Sequence, residues 1–285
     1  MKHINKIFYF LLLLLAICFN SIDSNAWINK KNNNTSTAKP SEKIKSNSSN
    51  DDKLIPIGAG TGFFVSSQGH IVSNNHVVGV CRTVTTKING KVYNLDILAT
   101  DKVNDLGIVK ANFRPKSYLP IKSSGAKLGE DIVALGYSLS GRLSDSVKIT
   151  KGIVSSLSGP ENNYSQIQID AALQPGNSGG PVLNTGAEVV GVASAGLSKL
   201  YMAKTAKYIP ENVNFAVSAN TLANFLKANK ISYSGENFFS KDYSTSELAK
   251  IGEPVTLQLY CMNTRAVYEK LKSQKEYSTM LLDIK

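Results

Sequence analysis

Gln174-Pro175-Gly176-Asn177-Ser178-Gly179-Gly180-Pro181 is the most informative stretch of this chain. A serine that acts as a nucleophile needs an exposed hydroxyl and backbone N–H groups aimed at the oxygen that becomes negative. Glycines on both sides let the chain take the strained turns that bring such N–H groups together. Here the amides of Gly176 and Ser178 are the candidate donors. A glycine-rich turn between two strands can be a turn and nothing more. This one frames a single serine and lies between two apolar runs, Gln166-Ile167-Gln168-Ile169 and Val189-Val190-Gly191-Val192-Ala193.

Moving outward from it, the same texture continues from Ile57 to Val217. Short β-branched runs such as Gly62–Val65, His70–Val72, Asp131–Leu135 and Gly152–Val154 are broken by Gly, Asn, Asp and Ser. Strands with turn signals at regular spacing predict an antiparallel barrel or sandwich. Ser67-Gln68-Gly69 and Asn184-Thr185-Gly186 read as hairpin turns. Gly58-Ala59-Gly60-Thr61-Gly62 runs straight into Phe63-Phe64-Val65 with no Lys-Ser/Thr behind it. It is therefore the start of a strand and not a phosphate loop.

The chain has three histidines. His3 lies in the N-terminal segment, and His70 follows Gly69 in a turn. His76, at the end of an apolar strand in His70-Ile71-Val72-Ser73-Asn74-Asn75-His76, is the candidate base. In Val103-Asn104-Asp105-Leu106-Gly107-Ile108-Val109, Asp105 stands just before an apolar strand. A carboxylate buried beside a histidine would hold its tautomer and stabilise the imidazolium. Asp96 and Asp101 compete for that role from the same stretch. No His/Cys/Asp cluster has metal-ligand spacing, so neither metal nor cofactor is expected.

The blocks Asn74–Val78, Asn104–Val109 and Ile169–Pro181 resemble those around the triad of HtrA/Deg-type serine proteases, in the same order. Asn214-Phe215-Ala216-Val217 is similar to the strand that ends that family's catalytic domain. The resemblance covers about residues 55–228. It implies an all-β fold of two six-stranded antiparallel barrels of the chymotrypsin type, to which the residues themselves add a C-terminal helix and a small α/β extension. It also implies a cleft with His76 and Asp105 from the first barrel and Ser178 from the second. By the same resemblance, Leu173 and the stretch Ala193, Ser194, Ala195, Gly196 form the substrate pocket. An apolar Leu173 at its base offers no partner to Lys or Arg, so small or medium aliphatic side chains are expected before the scissile bond. The implied activity is a serine endopeptidase working through an acyl-enzyme on exported, unfolded proteins. The alternative is a chaperone-like or peptide-binding module on the same fold with little catalysis. A glutamyl-specific relative is disfavoured because no histidine follows His76. Family members commonly form trimers, which leaves a homo-oligomer open. They also continue into PDZ domains, for which residues 230–285 are too few. The stretch Ser198–Asn212 is longer than is usual beside the pocket.

Length and composition fit this reading. The chain has 285 residues, 42% of them hydrophobic, enough for a real core in one large or two small all-β domains. The net charge is +11, but the lysines are scattered and no nucleic-acid motif accompanies them. Nucleic acid is therefore not expected as a partner. Transient association with an anionic membrane surface stays open. Lys2 and Lys6, the apolar run Ile7–Phe19 and Ser24-Asn25-Ala26 read as a signal peptide at 1–26. This predicts an exported, periplasmic or secreted protein, with an uncleaved anchor as the alternative. Residues 27–54 are rich in Asn, Ser, Lys and Thr and read as a disordered linker. The peptidase domain with both barrels is expected at 55–229. An extension of unassigned role follows at 230–285. Helices are expected at Ala219–Ala228 with Ser218 as N-cap, at Ser244–Ile251 with a Ser244/Glu247 capping box, and at Thr264–Ser273. A strand is expected at Val255–Cys261. Cys81 and Cys261, in a disulfide-permissive compartment, either pair or lie apart as buried thiols.

Overall fold

The computed structural model describes residues 52–139, 144–195, 212–236, 241–274 and 281–282. The signal peptide, nearly all of the linker, Gly196 and most of the 198–212 stretch lie outside the described residues.

Strands β1 (Ile55–Phe64), β2 (His70–Ser73), β3 (Thr83–Ile88), β4 (Lys91–Asp101) and β5 (Leu106–Ala111) come first in the chain. Next come β6 (Asp131–Gly136), β7 (Lys148–Ser156), β8 (Gln166–Ile169), β9 (Pro181–Asn184), β10 (Val189–Ala193) and β11 (Asn214–Ser218). These last six close an antiparallel barrel in the order β10-β11-β8-β7-β6-β9. Its short strands β9 and β10 are buried along their whole length, as continuous apolar runs should be. The β1–β2 turn carries Gly69 at φ 85°, a left-handed conformation that glycine takes without a β-carbon clash.

The first barrel closes in an unexpected way. Its order is β1-β12-β3-β4-β5-β2, where β12 is Thr256–Asn263. Ile55–Phe63 of β1 pair antiparallel with Thr256–Asn263, and the other edge of β12 pairs with Thr83–Thr86 of β3. The expected boundary after residue 229 is therefore corrected, because part of the 230–285 segment belongs to the first barrel. Strand β12 alternates buried and half-buried positions, with Leu257, Leu259 and Cys261 inside. That period of two is what a barrel wall requires.

Among the described residues, four α-helices accompany the barrels. Helix α1 (Asn75–Val78) is a single turn. Helix α2 (Ala219–Ala228) starts at Ser218, whose hydroxyl accepts from the Thr221 amide, and buries Leu222, Ala223 and Leu226. Helix α3 (Thr245–Gly252) begins with the full Ser244/Glu247 capping box. Helix α4 (Arg265–Lys272) is capped by Thr264 and buries Tyr268 and Leu271. Those two side chains join Ile57 and Cys261 in a small apolar cluster that Cys81 also touches. Cys81 and Cys261 form a disulfide, which settles the alternative left open by the sequence.

Candidate active site

Each candidate residue owes its place to a local feature of the chain. The short helix α1 follows β2 directly, so His76 leaves the first barrel at one rim and is 6% exposed. Asp105 sits in the β4–β5 turn at φ 55°, a left-handed conformation that Asp tolerates better than most residues. The Asn74 side-chain amide donates to the Asp105 carbonyl at 2.9 Å and pins that turn to the segment carrying His76.

The imidazole and the carboxylate meet closely. His76 Nδ1 lies 2.9 Å from Asp105 Oδ2 and 3.0 Å from Oδ1, and the His76 backbone N–H donates to Oδ1 at 3.0 Å. Ser194 Oγ donates to Oδ2 at 3.1 Å. With Nδ1–H given to Asp105, Nε2 is the ring nitrogen left to act as base. The competing acids lie elsewhere on the β4–β5 stretch. Asp101 accepts from the Val103 and Asn104 amides and from the Asn104 side chain. Burial alone would raise its pKa, but these hydrogen bonds hold it below the usual carboxylate value. Asp96 lies opposite Lys110 across the β4–β5 pairing.

His70 takes no part in this arrangement. Its Nδ1 hydrogen-bonds Ser66 Oγ at 2.7 Å, and burial together with the Lys110 charge holds it below the ordinary histidine pKa.

Ser178 lies in the turn between β8 and β9, hence on the second barrel. Its hydroxyl is buried and has no hydrogen-bond partner among the described residues. The turn is pressed against the first barrel. The Thr61 amide donates to the Ser178 carbonyl at 2.8 Å. A β-carbon on Gly60 would stand 2.7 Å from Val77 Cγ1 and 3.2 Å from the Ser178 carbonyl, so the serine turn and helix α1 share one crevice. Gly176 and Gly179 both have positive φ, 99° and 87°. A side chain at Gly179 would run into Thr61 and Ser73. The Gly176 and Ser178 amides donate to no backbone carbonyl among the described residues.

Of the expected pocket residues, Leu173, Ala193 and Ala195 share one buried apolar cluster in the second barrel. Ser194 has a contact that the sequence did not announce. It is fully buried and directs its hydroxyl to Asp105, so it braces the acid through that bond. Sequence reasoning also passed over Asn74 and Thr61. Asn74 stood inside the quoted histidine block and is completely buried, but an asparagine beside a strand end carries no signal of what it will hold.

Residues 60–192 match the trypsin-like peptidase domain. This is a trypsin-like peptidase domain of the HtrA/Deg type. Among curated relatives, an uncharacterized protein, y4bJ, of Sinorhizobium fredii is 34% identical over 232 residues, covering 79% of this chain and 36% of its own length. A probable periplasmic serine endoprotease, DegP-like, of Bartonella henselae is 37% identical over 167 residues, 55% of this chain and 31% of its own. The chain spans about a third of the length of these relatives. Among solved structures, the HtrA-type protease AlgW with decapeptide superposes with a TM-score of 0.50, at 22% identity, over 60% of this chain and 51% of that one. That likeness is one of fold.

Proposed function

We propose that the chain is a serine endopeptidase acting on exported, unfolded proteins. The observation that carries this is the Asp105–His76 pair on the first barrel, with the glycine-framed Ser178 turn held against that barrel at Thr61. In the mechanism, His76 Nε2 takes the proton of Ser178 Oγ as the oxygen attacks the scissile carbonyl. The Gly176 and Ser178 amides receive the oxyanion. His76 then gives its proton to the leaving amine, and an acyl-Ser178 ester remains. Water, deprotonated by His76, attacks the ester and releases the acid, and the proton returns to Ser178. Asp105 holds the imidazole in the Nδ1–H tautomer and stabilises its positive charge.

The pocket supports a preference for Val, Ala, Ile or Leu before the scissile bond, since Leu173, Ala193 and Ala195 are apolar and close-packed. The preference should be modest, because a methylene in an apolar pocket discriminates by about 1–3 kcal/mol. The N-terminal sequence, the Cys81–Cys261 bond and the periplasmic designation of the Bartonella relative support export. Protein or peptide chains are the partners this chemistry takes. A homo-oligomer and a transient contact with anionic membrane, the latter suggested by the +11 charge, belong to the same reading.

The test is labelling of the mature protein with a fluorophosphonate probe, followed by a cleavage profile on denatured proteins. We expect label on Ser178, and Ser178→Ala should lose both label and proteolysis, with turnover falling about a millionfold. Normal proteolysis by the folded alanine variant overturns the assignment. Dominant cleavage after Lys, Arg or Glu overturns the pocket.

A further inference from the structure

We infer that Thr61 is a positioning residue whose side-chain hydroxyl fixes the oxyanion-binding turn at 176–178, an inference that rests on the endopeptidase reading above. Thr61 lies on β1 and is completely buried. Its Oγ1 donates to the Gly176 carbonyl at 2.7 Å and accepts from the Tyr137 amide at 3.0 Å. Its own amide donates to the Ser178 carbonyl at 2.8 Å, and its carbonyl accepts from Ser73 Oγ at 2.6 Å. One residue of the first barrel thus holds carbonyls on both sides of Asn177.

The consequence follows from peptide geometry. The Gly176–Asn177 peptide is planar, so fixing its carbonyl fixes the opposed Asn177 N–H. That N–H is held as well, by the Gln174 carbonyl at 3.0 Å. The two amides that would receive the oxyanion, on Gly176 and Ser178, lie one peptide to either side of this pinned plane. Glycine at φ 99° gives the turn little stiffness of its own. Without the hydroxyl, the half-buried Gly176 carbonyl loses the donor it has among the described residues and is driven to rotate in search of another. A rotated peptide misdirects the neighbouring amides and raises the barrier of the chemical step while leaving the binding of the substrate chain alone. Tyr137 takes part from the far side. Its amide bonds Thr61 Oγ1, and its carbonyl abuts Gly176 so closely that a β-carbon there would clash.

A merely structural threonine predicts something different, a loss of stability that any substitution shares. The test uses the mature, disulfide-bonded protein with Thr61→Val, which replaces the hydroxyl by a methyl of like size, and Thr61→Ser, which keeps the hydroxyl and drops the methyl. Three quantities are read: kcat and KM on an extended peptide, affinity for a peptide boronate whose adduct places an oxygen at the oxyanion position, and Tm. The valine variant should lose at least about tenfold in kcat, with boronate affinity falling in parallel and KM moving by less than about twofold. The serine variant should regain kcat and boronate affinity even where its Tm is lower. If the valine variant does not fold, Thr61→Cys replaces it, and the weaker thiol donor should give a smaller loss of the same pattern. Unchanged kcat and boronate affinity in the valine or cysteine variant overturns the inference while leaving Ser178 in place, as do equal losses in the valine and serine variants. A wild-type protein that neither hydrolyses peptide nor takes label at Ser178 overturns the endopeptidase reading and this inference together.

Discussion

The two barrels share one strand plan and close it in opposite ways. The second is built from consecutive strands, β6 to β11, within one stretch of chain. The first takes five strands from residues 55–111 and its sixth from residues 256–263, beyond the whole second barrel. The second barrel carries Ser178, and the first carries His76 and Asp105. Loop closure costs entropy that grows with the length of chain to be tied off, and the first barrel bears the longer closure. The Cys81–Cys261 bond, with a sequence separation of 180, joins the two pieces of that barrel. Identical architectures can therefore depend on different things: local strand pairing in one case, a distant strand and a covalent tie in the other.

Substitutions can sharpen this contrast. The largest effect should come from the first barrel's contribution to chemistry. Asp105→Asn keeps the shape but favours the wrong His76 tautomer and should cost about four orders of magnitude in kcat with little change in Tm. Steady-state kinetics beside a melting curve reads both, and a loss below tenfold would remove Asp105 from its role. Next is the tie itself. Replacing Cys81 and Cys261 together by Ser should lower stability by about 4 kcal/mol. Hydrogen exchange should show protection lost in β3, β4 and β12 and kept in β6 to β11. Uniform loss across both barrels would mean that they do not differ as described. A matched pair of core truncations comes third. Leu259→Ala in β12 and Ile169→Ala in β8 each remove a fully buried side chain, and each should cost about 3 kcal/mol by denaturant unfolding. Reduction of the disulfide should add to the first barrel's loss and leave the second's melting unchanged.

The smallest effect concerns pH. His70 is held below its ordinary pKa, so the folded chain takes up its proton less readily than the unfolded chain. Stability contributed by neutral His70 is thus present above about pH 6.5 and falls as the pH drops through the window between the unfolded and the folded value. His70→Gln should flatten that part of a Tm–pH curve. An unchanged slope would show that other groups set it.

Much of this was legible in the sequence, because it was local. The glycine frame of Ser178, the capping box at Ser244 and Glu247, and the Ser218 cap each state their structure within four or five residues. The strand at 255–261 was also legible as a strand. Its partners were not, since periodicity says that one face is buried and not against what. The same limit hid the pairing of Cys81 with Cys261. Thr61 read as one polar residue in a glycine-rich strand start, and only the folded chain brings Gly176, Tyr137 and Ser178 around it. Ser194 was placed in the pocket by resemblance alone, and the residues beside it carry no signal of the hydrogen bond that its buried hydroxyl gives to Asp105.

Strand β12 also has a meaning in time. A chain made from its N-terminus completes every strand of the second barrel before residues 256–263 exist. Until they arrive, β1 and β3 face each other across a gap with unpaired edges, the kind of edge that invites wrong partners and holding factors. The barrel that begins first is the last to be finished. Because that barrel bears His76 and Asp105, a nascent chain of this design has the strands around Ser178 before the barrel under His76 is closed, and on the proposed mechanism hydrolytic competence waits on the arrival of a strand that carries none of the three.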